Sequence, residues 1–287
     1  MTVALVLTAL LAAQTDPKRV DLLFDRDVVY RPVGTMSLTV DVLRGKEARA
    51  ARPAILFFHG GNWTTGSKDR PPEPFSRLAR EGFVCIAVDT RLAPGAKFPA
   101  PLEDAREAVR WTRMNAERYG IDPAKIGVWG INSGGNLAAL LGTTGDGETK
   151  VQAVVVCSAP TDFARLVALR DSRMEAKLRV ARLQDRNGLW PEELLLGGSV
   201  VEMADLAAKA NPAASASPDD PPFLIVHGED DSVVFPEQSR LLQDALKKEG
   251  VRSELRLVPR ASHEFRELRA EDRIVDFFKR ELLGDTR

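Results

Sequence analysis

Cysteine is nearly absent from this chain, with two in 287 residues. Cys85 and Cys157 each sit inside a short apolar run (Phe83–Val88 and Val154–Cys157) and read as small buried hydrophobes. So few cysteines exclude a disulfide scaffold, and no His or Cys spacing matches a zinc site. An excess of charge of either sign is also missing. Forty Lys plus Arg face 41 Asp plus Glu, a net charge of -1, and no basic stripe or acidic tail stands out. Nucleic-acid binding therefore has no electrostatic support. Histidine is scarce at three residues, and aromatic residues make up 6%. Against these gaps stand a 44% hydrophobic and a 28% charged fraction, the composition of an ordinary globular protein.

Long apolar runs are missing except at the start. Met1 to Gln14 is apolar apart from Thr2, Thr8 and Gln14. Small Ala12 and Ala13 precede the polar Thr15-Asp-Pro-Lys. The segment reads as a secretory signal peptide, too short to span a bilayer as a mature helix. It lacks the Lys or Arg that usually leads such a run, so an uncleaved anchor or an apolar first strand is the other reading. The expectation is a leader over residues 1–14 and one domain over 15–287. The protein would be secreted or periplasmic, with no stable membrane insertion once the leader is removed.

Apolar runs of strand length alternate with helical patterns. Strands are expected at Asp27–Tyr30, Leu38–Leu43, Ala54–Phe58, Val84–Val88, Ile126–Trp129, Ala153–Cys157, Phe223–Val226 and Glu254–Val258. The first two alternate polar and apolar residues and suit an antiparallel edge. The middle four are almost wholly apolar, as strands covered on both faces are. Helical patterns run over Leu102–Glu117, Asn136–Leu141, Glu237–Lys248 and Glu264–Leu282. The alternation predicts an α/β fold with a doubly wound, mostly parallel, eight-stranded sheet. Phe163–Ala210 breaks it and reads as a small helical insertion over one end of the sheet.

Four motifs follow strands. His59-Gly60-Gly61-Asn62-Trp63 follows the third, where glycines let backbone amides face a ligand and stabilise a developing oxyanion. Gly130-Ile131-Asn132-Ser133-Gly134-Gly135 follows the fifth strand and opens a helix, the context of a G-x-S-x-G nucleophile elbow. That turn requires small residues two before and two after its apex. With Asn132 at the apex these are Gly130 and Gly134. With Ser133 at the apex, Ile131 would clash. The steric demand favours Asn132, with Ser133 the alternative nucleophile. His227-Gly228-Glu229-Asp230-Asp231 follows the seventh strand, where Asp231 has the spacing of a triad acid and Asp230 is the reserve. Ala261-Ser262-His263 follows the last strand and supplies a base. Elbow, acid and base occur in α/β-hydrolase order, and all three histidines fall within these motifs.

The chain resembles the secreted esterase/lipase-like α/β-hydrolases that include feruloyl- and acetyl-xylan-type esterases, relatives of the hormone-sensitive-lipase group. The likeness runs from about Tyr30 to about Leu283 and includes Asp89-Thr-Arg-Leu-Ala-Pro94, Phe98-Pro-Ala100, Leu102-Glu-Asp104 and Tyr119-Gly-Ile-Asp-Pro123. Members usually read Gly-x-Ser-Ala-Gly-Gly at the elbow, so their Ser matches Asn132 and their Ala matches Ser133. The resemblance implies oxyanion-hole amides at Gly61, Asn62 and Ser133, with Asp231 as acid and His263 as base. It also implies a small-molecule or carbohydrate ester as substrate and no cofactor or metal. The pocket behind Trp63 is where a substrate would bind.

Asn132 unsettles the mechanism. A carboxamide is a poor nucleophile, and losing the nucleophile of such a triad costs on the order of 10⁶ in kcat, about 8 kcal/mol of barrier. Three outcomes compete. Ser133 attacks from a rearranged elbow, or the chain binds an acylated ligand without turnover, or Asn132 of the labile Asn132-Ser133 pair becomes an aspartate. That aspartate would resemble the carboxylate nucleophile of dehalogenase- or epoxide-hydrolase-like members of the fold. A non-catalytic interaction protein that merely kept the fold is a further reading, against which the retained His263 and Asp231 argue.

Overall fold

All eight expected strands form, and they join one sheet in the order β1-β2-β4-β3-β5-β6-β7-β8. The computed structural model describes residues 20–47, 51–173 and 180–284. The expected leader, 1–14, lies outside the described residues. The strands are β1 (Leu22–Val33), β2 (Met36–Gly45), β3 (Arg52–Phe58), β4 (Val84–Val88), β5 (Ile121–Ile131), β6 (Ala153–Cys157), β7 (Phe223–Gly228) and β8 (Ser253–Val258). The alternating β1 and β2 form an antiparallel edge, and β2 also runs antiparallel to β4. The remaining pairs are parallel. Every residue of β3, β4 and β6 is buried, as double coverage requires.

The two-residue period of each strand sorts side chains between two cores. Ala54, Leu56 and Phe58 of β3 face one core, and Ile55 and Phe57 face the other. The first core is closed by α2 (Ala100–Met114), α4 (Ser133–Thr144) and α8 (Glu237–Lys248) through Leu102, Val109, Leu140 and Leu242. The second is closed by α1 (Glu73–Arg80) and α9 (Glu271–Phe278) through Phe75, Leu78, Ile274 and Phe278. Cys85 and Cys157 are free and buried in this second core. The helix after β3 thus packs on one face and the helix after β5 on the other. Loops leaving these neighbouring strands diverge, which opens a crevice at their carboxyl ends.

Between β6 and β7 the chain forms α5 (Phe163–Ser172), α6 (Pro191–Leu196) and α7 (Ala204–Lys209). These helices fall where the insertion Phe163–Ala210 is expected. The Arg170 guanidinium pairs with Glu192 at 2.7 Å and stacks 3.7 Å over the Trp190 ring.

Some boundaries differ from expectation. The Leu102–Glu117 pattern divides at Asn115 into α2 and the short α3 (Ala116–Tyr119), which Gly120 stops in a left-handed conformation. The Glu264–Leu282 pattern breaks into a 3₁₀ turn at Phe265–Leu268, α9 and a final turn, because Arg269 takes φ 45°. Helix α1 is an addition. Its four buried residues, Pro74, Phe75, Leu78 and Ala79, repeat at helical spacing after a proline-rich start.

A buried ion cluster ties the edge hairpin to α2. Asp104 is fully buried and takes Arg91 at 2.8 Å and Arg31 at 2.6 Å. Removing one partner of such a cluster leaves guanidinium charge without compensation. Asp104→Ala is expected to lower stability in denaturant titration by about 3 kcal/mol. Glu107→Ala, which removes only the half-exposed pair with Arg110, is expected to cost under about 0.5 kcal/mol.

Candidate active site

The site begins with the contact between the end of β5 and the start of α4. A Cβ on Gly130 would lie 2.0 Å from the Gly134 carbonyl oxygen, and one on Gly134 would lie 2.1 Å from the Phe58 carbonyl oxygen. Backbone meets backbone at both points, so neither glycine accepts a side chain. The chain turns between them at Asn132, with φ 53° and ψ -119°. Asn tolerates positive φ better than most residues, and such strain persists only where the surroundings enforce it. Shifting the apex to Ser133 would bring Ile131 to the position that excludes any Cβ. Ser133 is instead the first residue of α4.

The loop after β3 approaches the same apex. Gly61 has φ 125° and its carbonyl accepts the amides of Thr64 and Thr65, both at 3.1 Å. Lys68 holds the far end of this loop: its amide donates to Asp89 at 2.8 Å, and its buried ammonium meets Asp27 at 2.7 Å and Asp41 at 3.0 Å. The turn aims the Asn62 amide at Asn132 Oδ1, 2.9 Å away. Ser133 donates its own amide to the same oxygen at 2.7 Å. Two of the three amides expected at an oxyanion hole, those of Asn62 and Ser133, therefore converge on this oxygen, and Gly61 contributes its carbonyl to the turn.

Asp231 and His263 complete the line. His263 Nδ1 lies 2.7 Å from Asp231 Oδ2, and His263 Nε2 lies 2.9 Å from Asn132 Nδ2. A carboxylate only accepts, so Nδ1 carries a proton. Asn132 Oδ1 already takes two backbone N–H groups, so the group facing Nε2 is the NH2 donor and Nε2 is the acceptor. This fixes the orientation of the carboxamide from both ends: its oxygen faces two N–H donors and its nitrogen faces an acceptor.

Asp231 is held by more than His263. Its Oδ1 accepts the amides of Val233 and Val234, both at 2.9 Å. His227, fully buried, lies 3.1 Å from Oδ2 through Nε2. The same nitrogen reaches the Val234 carbonyl at 2.7 Å, and His227 Nδ1 meets the Ser239 hydroxyl at 2.6 Å. With two acceptors on one side, Nε2 is the protonated nitrogen. Burial alone would push the Asp231 carboxyl up, but hydrogen bonds from His227 and His263 outweigh it and hold it at about 2. The reserve acid Asp230 is exposed and donates its amide to the Ala261 carbonyl. His227 as a support for the acid is not apparent from the motif, where it reads only as part of a strand end. Trp63 is buried, edge-on to Phe163 with ring centres 5.3 Å apart.

The arrangement matches that of an acyl-transfer site: an apex on a sharp turn, two convergent amides, a base and an oriented acid. The BD-FAE family model matches residues 40–246. The chain belongs to the BD-FAE family. Esterase LipC of Mycobacterium tuberculosis (strain ATCC 25618 / H37Rv) is 30% identical over 210 residues, 72% of this chain and 52% of LipC. The chain thus spans about half the length of that relative. Among solved structures, a bifunctional GH43-CE protein of Bacteroides eggerthii superposes with a TM-score of 0.76 at 27% identity, covering 90% of this chain and 35% of that one. A truncated carbohydrate esterase from gut microbiota gives 0.74 at 25% identity, covering 93% and 98%. This BD-FAE member has the α/β-hydrolase fold. Among its described residues no helix is long and apolar enough to cross a membrane.

The depressed Asp231 carboxyl has a stability consequence. Its folded value, about 2, lies below the unfolded value near 3.8. Its contribution is therefore full above about pH 4 and lost as pH falls towards 2, and amounts to about 2 kcal/mol. The stability gap between the native chain and Asp231→Asn, measured by urea unfolding, is expected to narrow by that amount across this window.

Proposed function

We propose that the site is built to receive a carboxylic ester, small or carbohydrate-linked, and that in its Asn132 form it does not hydrolyse that ester through a hydroxyl nucleophile. The esterase names of the relatives and the carbohydrate-esterase neighbours support the ligand class. One observation carries the rest. The Asn132 carboxamide spans the centre, with its oxygen on the Asn62 and Ser133 amides and its nitrogen on His263. A substrate carbonyl would need those two amides, and a nucleophilic hydroxyl would need that imidazole nitrogen. One side chain occupies both positions. The chain is thus a pseudo-hydrolase with an intact acid, base and oxyanion hole, exported if the apolar N-terminal segment acts as a leader.

The competing reading, attack by Ser133, requires the elbow to shift by one residue against the Gly130–Gly134 contact. Asn132→Ser is expected to raise kcat/KM for p-nitrophenyl acetate by at least about 10³-fold, restoring part of what a triad loses with its nucleophile. The native chain is expected to show no activity that Ser133→Ala abolishes. A native activity that disappears in Ser133→Ala, or no gain in Asn132→Ser, contradicts the proposal.

A further inference from the structure

We infer that the centre acts on its own apex: Asn132 is a self-hydrolysis site, where the triad machinery converts its carboxamide to a carboxylate. This rests on the reading of residue 132 as the occupant of the nucleophile position.

An amide held this way has its reactive atoms where a substrate's would be. The carbonyl oxygen accepts two backbone N–H groups, at 2.9 and 2.7 Å, so charge developing there is stabilised. The nitrogen that must leave lies 2.9 Å from His263 Nε2. That imidazole is oriented by Asp231 at 2.7 Å, and its side chain is 23% exposed, so the ring borders solvent. Asn132 itself is 3% exposed, which confines the attack to water admitted beside His263.

The step balances with water as the co-reactant. His263 Nε2, once it has released the Asn132 N–H, takes a proton as the water oxygen bonds to Asn132 Cγ, giving a tetrahedral oxyanion on the Asn62 and Ser133 amides. The imidazolium then returns the proton to Nδ2, the Cγ–N bond breaks, and ammonia leaves. A carboxylic acid remains at residue 132 and ionises, its proton passing to the departing ammonia as ammonium. Nothing is oxidised or reduced. The carboxylate product retains both amide donors.

Ordinary asparagine deamidation follows another path, attack by the next residue's backbone nitrogen through a cyclic imide, and leaves isoaspartate among its products. Ser133 N is the nitrogen concerned. Its N–H is committed to Oδ1, and a donor so bound lies near the carboxamide plane, not above the face that must be attacked. The chain also contains an internal control. Asn187-Gly188 is an exposed Asn-Gly pair, the dipeptide most prone to the imide path, and its carboxamide nitrogen faces the Asp185 carboxylate and not an imidazole.

The test is timed peptide mapping of the purified full-length chain at neutral pH. The expected result is a gain of about one dalton at residue 132, as aspartate without isoaspartate, with first-order kinetics independent of protein concentration. In His263→Ala this conversion slows by about 10²-fold or more, while conversion at Asn187 keeps its rate. If that variant does not fold, the aspartate-to-isoaspartate ratio in the native chain decides alone. Asn132 still intact when Asn187 is half converted, isoaspartate at residue 132, or an equal rate in a folded His263→Ala would each overturn the inference. Failure here with an active Asn132→Ser would leave the proposed function standing. An inactive Asn132→Ser would remove the reading beneath both.

Discussion

Two glycines in backbone contact with their neighbours set the geometry of this molecule's centre. Gly130 lies against Gly134, and Gly134 lies against the end of β3. This double approach lets β5 turn into α4 within a few residues and leaves Asn132 as the apex, held at positive φ. It also joins two strands at the crevice between their diverging helices. The loop after β3 can then reach the apex with the Asn62 amide, 70 residues away in sequence. A side chain on either glycine would separate these elements, and the site would have no common centre.

The remaining polar groups form a chain of assigned protons that starts in the core. Ser239, buried in α8, meets His227; His227 and two loop amides hold Asp231; Asp231 fixes His263; His263 accepts from Asn132. Each link determines which atom of the next is donor and which is acceptor. The terminal carboxamide satisfies the two oxyanion amides as well. The consequence is a fully paired network at the place where an esterase needs an unmet demand. A hydroxyl at residue 132 could serve His263 but would leave the two amides free for a substrate oxygen. The carboxamide serves both, which makes the native centre quiet towards external esters and couples its own amide to the base.

Much of this was legible in the residues. The inner strands follow from apolar runs buried on both faces, the two antiparallel edge strands from polar–apolar alternation, and the apex position from the spacing of Gly130 and Gly134. Other features depend on distance in space. Nothing in His227-Gly228 signals that its imidazole turns back to support Asp231, because that depends on Ser239 and the Val234 carbonyl arriving from elsewhere. The filling of the oxyanion hole by Asn132 depends on a loop 70 residues upstream. The break at Arg269 overrides a helical pattern that runs through it, since apolar spacing records which face is buried and not whether the backbone stays helical between buried positions. Helix α1 is short and its start is crowded with prolines, so its period spans barely two turns.

The central claim is that the Asn132 carboxamide, and not the Ser133 hydroxyl, stands at the elbow apex and bridges the oxyanion amides to the base. High-resolution electron density for residues 130–135 with His263 tests it most directly. The account predicts carboxamide density at the apex, its oxygen within hydrogen-bond distance of the Asn62 and Ser133 nitrogens and its nitrogen at His263 Nε2, between the close-packed Gly130 and Gly134. A Ser133 hydroxyl within hydrogen-bond distance of His263 Nε2, with Asn132 turned out of the hole, would contradict it.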